Sequence, residues 1–303
     1  MYKLERILCS TDFSAASVEA IRLASFLANH ANSQLTLVYV DEYEKSPLGF
    51  FEHDEHSISQ HREAVSGFAQ AKFAEIIKQE RLSTERTATL VRFGTAYHEI
   101  IDVAEENRYS LVVIATEGLG RSSPHLIGRT AERVVRLCRA PVLTVRPRQH
   151  PDAWKIKTIL CPTDFSEYSN FAIPYAVSLA RNYHARIILL HVTELAVQHP
   201  EALIQKFPDP RFYHDDADKI QIEKIVGRDV EPENTIVRLA EEDQVDLVVI
   251  GTHGARGMRR VQIGNVVEEV VRRTAVPVLT ITHPIHKAVF PRRFMEDYTE
   301  TKN

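Results

Sequence analysis

The chain has 303 residues, enough for two ordinary domains that each bury a core. Hydrophobic residues make up 44% and charged residues 26%, the composition of a folded globular protein. A formal charge of −4 supplies no basic field for nucleic acid, and no apolar run reaches the roughly 18 residues of a membrane span. Neither nucleic acid nor membrane is therefore expected as a partner. The opening stretch MYKLERILCSTDFS has no signal-peptide core, and the cysteines include no CxxC pair, so a cytoplasmic location is expected.

In chain order, Leu4 to Cys9 reads as a short buried strand that runs into the turn TDFS, Thr11 to Ser14. Ala15 to Ala31 follows a helical period through Val18, Ile21, Ala24, Ser25 and Ala28, with Ser14 at the N-cap position. Leu35 to Val40 predicts a second strand, and Ser57 to Leu82 a long amphipathic helix. Leu111 to Thr116 and Val142 to Val145 predict two more strands. The segment RPRQHPDAWK, Arg146 to Lys155, then reads as a linker.

Beyond the linker the pattern begins again. Ile7 to Ser14 reads ILCSTDFS, and Ile159 to Ser166 reads ILCPTDFS. Asp12 answers to Asp164 and Val40 to Val192 at one offset. SLVVIATEG from Ser110 answers to DLVVIGTHG from Asp246, and APVLTV from Ala140 to VPVLTI from Val276, at an offset sixteen residues shorter. One unit is thus used twice. The second use is shortened where the first has its long helix: Pro200, Pro208 and Pro210 leave room for a short helix near Glu201 to Lys206 and then a loop. Strands alternating with helices predict an α/β fold, two tandem doubly wound, Rossmann-like parallel sheets. The expected domains are residues 1–147 and 155–284, followed by a tail, 285–303.

Ligands of doubly wound sheets bind beyond the carboxyl ends of the strands, where strand order reverses. Asp164 and the loop from Gly251 belong to that edge. The loop reads Gly251-x-x-Gly254, then nine residues, then Gly264-Asn265 and the helix VVEEVVRRT. Glycines let backbone N–H groups approach an anion, and a helix N-terminus adds its dipole. Arg256, Arg259 and Arg260 could close over phosphates.

This combination of PTDFS and a spaced glycine loop resembles the universal stress protein family in both halves. The resemblance implies the adenine-nucleotide alpha-hydrolase-like form of the fold and ATP, with or without Mg2+, as cofactor. Carried over residue by residue, it nominates Pro162, Thr163, Asp164 and Val192 for the adenosine end. Gly251, His253, Gly254, Gly264, Asn265 and Val266 fall at the phosphate end. Asn265 departs from the family's Ser or Thr, although Asn is a good N-cap and its amide can donate to phosphate. The first copy departs further, with Ala115, Glu117 and Arg129 at key positions. Asp12, Val40, Gly118, Gly128 and Arg129 therefore mark a degenerate second site, with Glu117 repelling phosphate unless Arg121 or Arg129 neutralises it. The family also implies that Val142 to Val145 pairs with Val278 to Ile281, making the chain a pseudo-dimer.

Each feature also has a plainer reading. Asp12 and Asp164 could fix turns, and the Gly251 loop could be purely geometric. Glu52, His53, Asp54, His56 and His61 carry ligand chemistry, as does YHDDAD from Tyr213 to Asp218, but solvated loops are favoured and no metal is expected. No catalytic constellation and no Walker lysine is present, so at most very slow ATP hydrolysis is expected. The expected function is a stress protein in which ATP, bound mainly in the second copy, acts as a signal. The alternatives are a stress protein acting through protein contacts with an unknown partner, and a metal-dependent hydrolase using the His-rich segment. The shortened second copy favours a homodimer over a monomer.

Overall fold

The computed structural model describes residues 2–42, 55–118, 127–147, 154–209, 213, 219–254 and 264–284. The first copy runs β1 (Arg6–Ser10), α1 (Ala15–Ala31), β2 (Gln34–Asp41), α2 (Glu55–Gln79), β3 (Thr87–Phe93), α3 (Ala96–Glu106), β4 (Leu111–Ala115), α4 (Arg129–Leu137) and β5 (Val142–Val145). The second runs β6 (Thr158–Pro162), α5 (Glu167–Asn170), α6 (Ile173–Tyr183), β7 (Arg186–Thr193), a 3-10 helix (Pro200–Lys206), β8 (Ile222–Arg228), α7 (Pro232–Glu242), β9 (Leu247–Gly251), α8 (Asn265–Arg273) and β10 (Val278–Ile281).

Among the described residues ten strands form one sheet in the order β3-β2-β1-β4-β5-β10-β9-β6-β7-β8. Pairing is parallel within each copy and antiparallel only at β5–β10, where Leu143 faces Leu279. Thr144 Oγ1 donates to the Val278 carbonyl at 3.2 Å, and Thr280 Oγ1 to the Val142 carbonyl at 3.1 Å. That reciprocity is the mark of a twofold arrangement. It also removes both edge strands from solvent, which an apolar edge requires. The tail, 285–303, lies outside the described residues.

Alternation along the strands feeds two apolar layers. Ile7, Cys9, Leu35, Leu37, Leu111 and Val113 belong to the layer that contains the buried faces of α1, α2 and α6, whereas Leu8, Val112 and Ile114 belong to the layer that contains those of α3, α4, α7 and α8. The helix termini repeat as well: Ser14 and Ser166 accept the backbone N–H of Ser17 and Ser169, and Asn32 and His184 close their helices in left-handed conformation. The long helix of the first copy ends at Gln79 rather than Leu82, because Arg81 turns left-handed. Its Phe73 is buried and meets the Phe13 ring edge-on at 5.3 Å. In the shortened copy Phe207, just after the 3-10 helix, meets Phe165 edge-on at 5.1 Å and is equally buried. The face that the sequence left open is thus partly closed by the chain itself, with Leu195 and Ile204 still exposed.

Cys9, Cys138 and Cys161 are buried and unbridged. Burial pushes the Cys161 thiol up to about 12 and also raises that of Cys9. Native protein at about pH 8 is therefore expected to resist a thiol-specific reagent that titrates all three cysteines after denaturation. Fast labelling of the native chain would contradict this packing.

Candidate functional site

The strand order reverses between β1 and β4 in the first copy and between β6 and β9 in the second. At the second switch point β6 ends at the buried Pro162, and Thr163 and Asp164 form the turn. Thr163 Oγ1 accepts the Phe165 N–H at 2.9 Å, and Asp164 Oδ1 accepts the Ser166 N–H at 3.0 Å and the Ser169 hydroxyl at 2.6 Å. These bonds hold Phe165 at φ 66, a conformation that costs a side-chain-bearing residue about 1–2 kcal/mol. Its ring stacks on His191 at 4.0 Å, and His191 Nδ1 donates to the Thr163 carbonyl at 2.9 Å. Val192 follows on β7 and is half-buried.

The loop after β9 meets this turn. A Cβ on Gly254 would lie 2.4 Å from Asp164 Oδ2, so only glycine admits the carboxylate in that position. One oxygen of Asp164 thus fixes the turn and the other faces the glycine loop. Gly251 has a different reason to be glycine: a Cβ there would lie 2.8 Å from the Tyr168 carbonyl on α5. In the first copy α1 is continuous through the equivalent turn, and Ala115 is accommodated. His253 is buried, with Nδ1 2.9 Å from Thr252 Oγ1, which in turn lies 3.3 Å from Thr282 Oγ1. Gly264, not Asn265, is the N-cap of α8, and its N–H donates to the Thr252 carbonyl at 3.0 Å. Asn265 is the exposed first helical residue and Val266 the half-buried second. The capping role expected for Asn265 does not hold, because closure of the loop onto Thr252 starts the helix one residue earlier. Arg256, Arg259 and Arg260 lie outside the described residues.

The first switch point repeats much of this construction. Asp12 Oδ1 accepts the Ser14 N–H at 3.0 Å, and Asp12 Oδ2 would lie 2.7 Å from a Cβ on Gly118. Phe13, at φ 63, stacks on Tyr39 at 4.8 Å. Burial, then the charges of Asp41 and Asp12, raise the Tyr39 phenol above its ordinary pKa. Val40 follows on β2, half-buried. Gly128 caps α4, donating to the Thr116 carbonyl at 2.7 Å, and Arg129 is exposed at the first helical position. Glu117 forms an ion pair that the sequence did not suggest, with Arg146 at the end of β5, 3.7 Å away; Arg121 lies outside the described residues. Arg146 also donates to the Arg272 carbonyl at the end of α8. Burial lowers its pKa, and the Glu117 carboxylate opposes that shift.

The turn phenylalanines, Tyr39, His191, Ser169 and Arg146 received no role from the sequence. The signal for the first of these was present, since both TDFS phrases keep Phe and both second strands carry a ring at the matching position. The metal alternative gains no support from its described members. His61 Nε2 lies 2.8 Å from Asp41 Oδ2, His56 Nε2 lies 2.9 Å from Gln60 Nε2, and no metal-competent cluster occurs among the described residues. Residues 43–54 and 214–218 lie outside them. No described helix is long and apolar enough to cross a membrane.

The profile of the universal stress protein family matches residues 3–146 and again 155–282. Universal stress protein Slr1230 of Synechocystis sp. is 24% identical over 282 residues, covering 91% of this chain and 88% of its own. Universal stress protein Sll1654 of the same organism is 32% identical over 139 residues, 46% of this chain and 83% of its own. A universal stress protein structure from Archaeoglobus fulgidus superposes with a TM-score of 0.70 at 20% identity, over 93% of this chain and 99% of that one, a likeness of fold. The chain belongs to the universal stress protein family and carries its domain twice.

Proposed function

We propose that this is a cytoplasmic stress-response protein that binds ATP, or a related adenine nucleotide, mainly in its second copy, and that occupancy is its signal. The observation that carries the reading is the convergence of Asp164 Oδ2 on Gly254 at the strand-order reversal. There a carboxylate suited to ribose hydroxyls stands beside a loop that leads to the N-terminus of α8. Pro162, Thr163 and Val192 would line the adenosine end. His253, Gly254, Gly264, Asn265 and Val266 would line the phosphate end, with Gly251 letting α5 pack close behind it. Mg2+ would accompany the phosphates if the site uses it. Equilibrium dialysis with ATP, in the presence and absence of Mg2+, tests the reading, and mass spectrometry of molecules released on denaturation identifies any nucleotide carried through purification. One ATP per chain is expected. No binding under either condition would leave the rival reading, action through protein contacts alone.

A further inference from the structure

We propose that the first copy's site takes an unphosphorylated nucleoside, and that the Glu117–Arg146 ion pair excludes the phosphate chain from it. This rests on the nucleotide reading of the second site. The parts of the two sites nearest the TDFS turn are built alike. Each sets a strand-end carboxylate oxygen against a loop glycine, Asp12 on Gly118 and Asp164 on Gly254. Each stacks the turn phenylalanine on a ring of the neighbouring strand. Each closes its loop through a glycine N–H to the threonine carbonyl after the fourth strand, Gly128 to Thr116 and Gly264 to Thr252. A nucleoside held by one set has its counterpart contacts in the other.

The charges at the ends of the next two strands differ. In the second copy these places hold His253 and Thr282, joined through the Thr252 hydroxyl. In the first they hold Glu117 and Arg146. The carboxylate is the member on the loop, next to Gly118. The guanidinium sits one strand further toward the seam, tied to the Arg272 carbonyl, so it is not placed to serve a phosphate in the site. An incoming phosphate chain therefore meets the negative end of the pair. A neutral nucleoside does not, and the discrimination should be about tenfold or more. Both groups are largely buried, with side chains 19% and 11% exposed, so removing one alone would strand the other. The informative change exchanges both.

The test counts ligands per chain by equilibrium dialysis with adenosine and with ATP. The parent protein is expected to bind two adenosines and one ATP. Asp12→Ala should reduce adenosine to one and leave ATP at one. Glu117→His with Arg146→Thr should raise ATP to two, and retention of the second-site ATP reports that this variant is folded. Two ATP in the parent, or a single adenosine that Asp12→Ala does not alter, would overturn the proposal while leaving the second-site reading intact. No ATP in the parent would instead remove the reading on which it rests. Should the double exchange fail to fold, the parent and Asp12→Ala counts still decide.

Discussion

Leu279→Pro is expected to cost the protein its native fold or to lower its melting temperature by about ten degrees or more. Leu279 lies in the middle of β10, which is paired with β9 on one side and β5 on the other, so its N–H belongs to a ladder whichever way it points. Proline removes that donor and bends a buried strand, a change worth about 3 kcal/mol or more. In large domains each kcal/mol moves the melting temperature by roughly 2–4 °C. Leu279 is also only 3% exposed, so the lost packing adds to the lost hydrogen bond. Leu143→Pro, directly across the seam, should behave alike, because β5 stands in the same position between β4 and β10. Val230→Ser, at a position 75% exposed, is the matched surface control and should be nearly neutral. If either proline variant melts with the parent, the β5–β10 pairing is not what joins the copies.

ATP affinity should fall by about tenfold or more in Asp164→Ala and change little in Asp12→Ala, as for loss of a hydrogen bond to a charged group. The asymmetry follows from the surroundings of two similar carboxylates. Asp164 stands beside Gly254 and the loop to α8, whereas Asp12 stands beside Gly118, next to Glu117. Because Asp164 Oδ1 also holds the turn through Ser166 and Ser169, Asp164→Asn is the control that keeps an acceptor there. Gly254→Val should abolish ATP binding while leaving most of the fold's stability, since any Cβ at this position displaces the carboxylate from its place against the loop. The matching Gly118→Val should spare ATP. Titration calorimetry of the five variants gives the comparison. Equal losses from Asp164→Ala and Asp12→Ala, or none from either, would defeat the asymmetry.

The sequence by itself determined the repeat, the alternation of strand and helix, the bounds of β5 and β10, the Ser14 cap and the short helix before Phe207. These rest on local quantities: side-chain period, proline and cap chemistry, and the recurrence of a phrase. It also led, through the family resemblance, to the pairing of β5 with β10, which the sheet displays in antiparallel sense. What only the tertiary structure decided are relations between residues far apart in the chain. Gly251 proves to be glycine because the Tyr168 carbonyl crosses it, and Gly254 because Asp164 fills the space a Cβ would need. Glu117 is met by Arg146, from the segment the sequence marks as a linker, because β5 runs beside β4 and ends next to it. Arg146 then reaches the end of α8 in the other copy, a contact that exists only once the seam has formed. Even the start of α8 is set at a distance, since Gly264 caps it by bonding Thr252 across the loop and leaves Asn265 as a helical residue. Periodicity carries no information about which side chains the sheet order brings face to face, and the chemistry of both sites lies in those pairs.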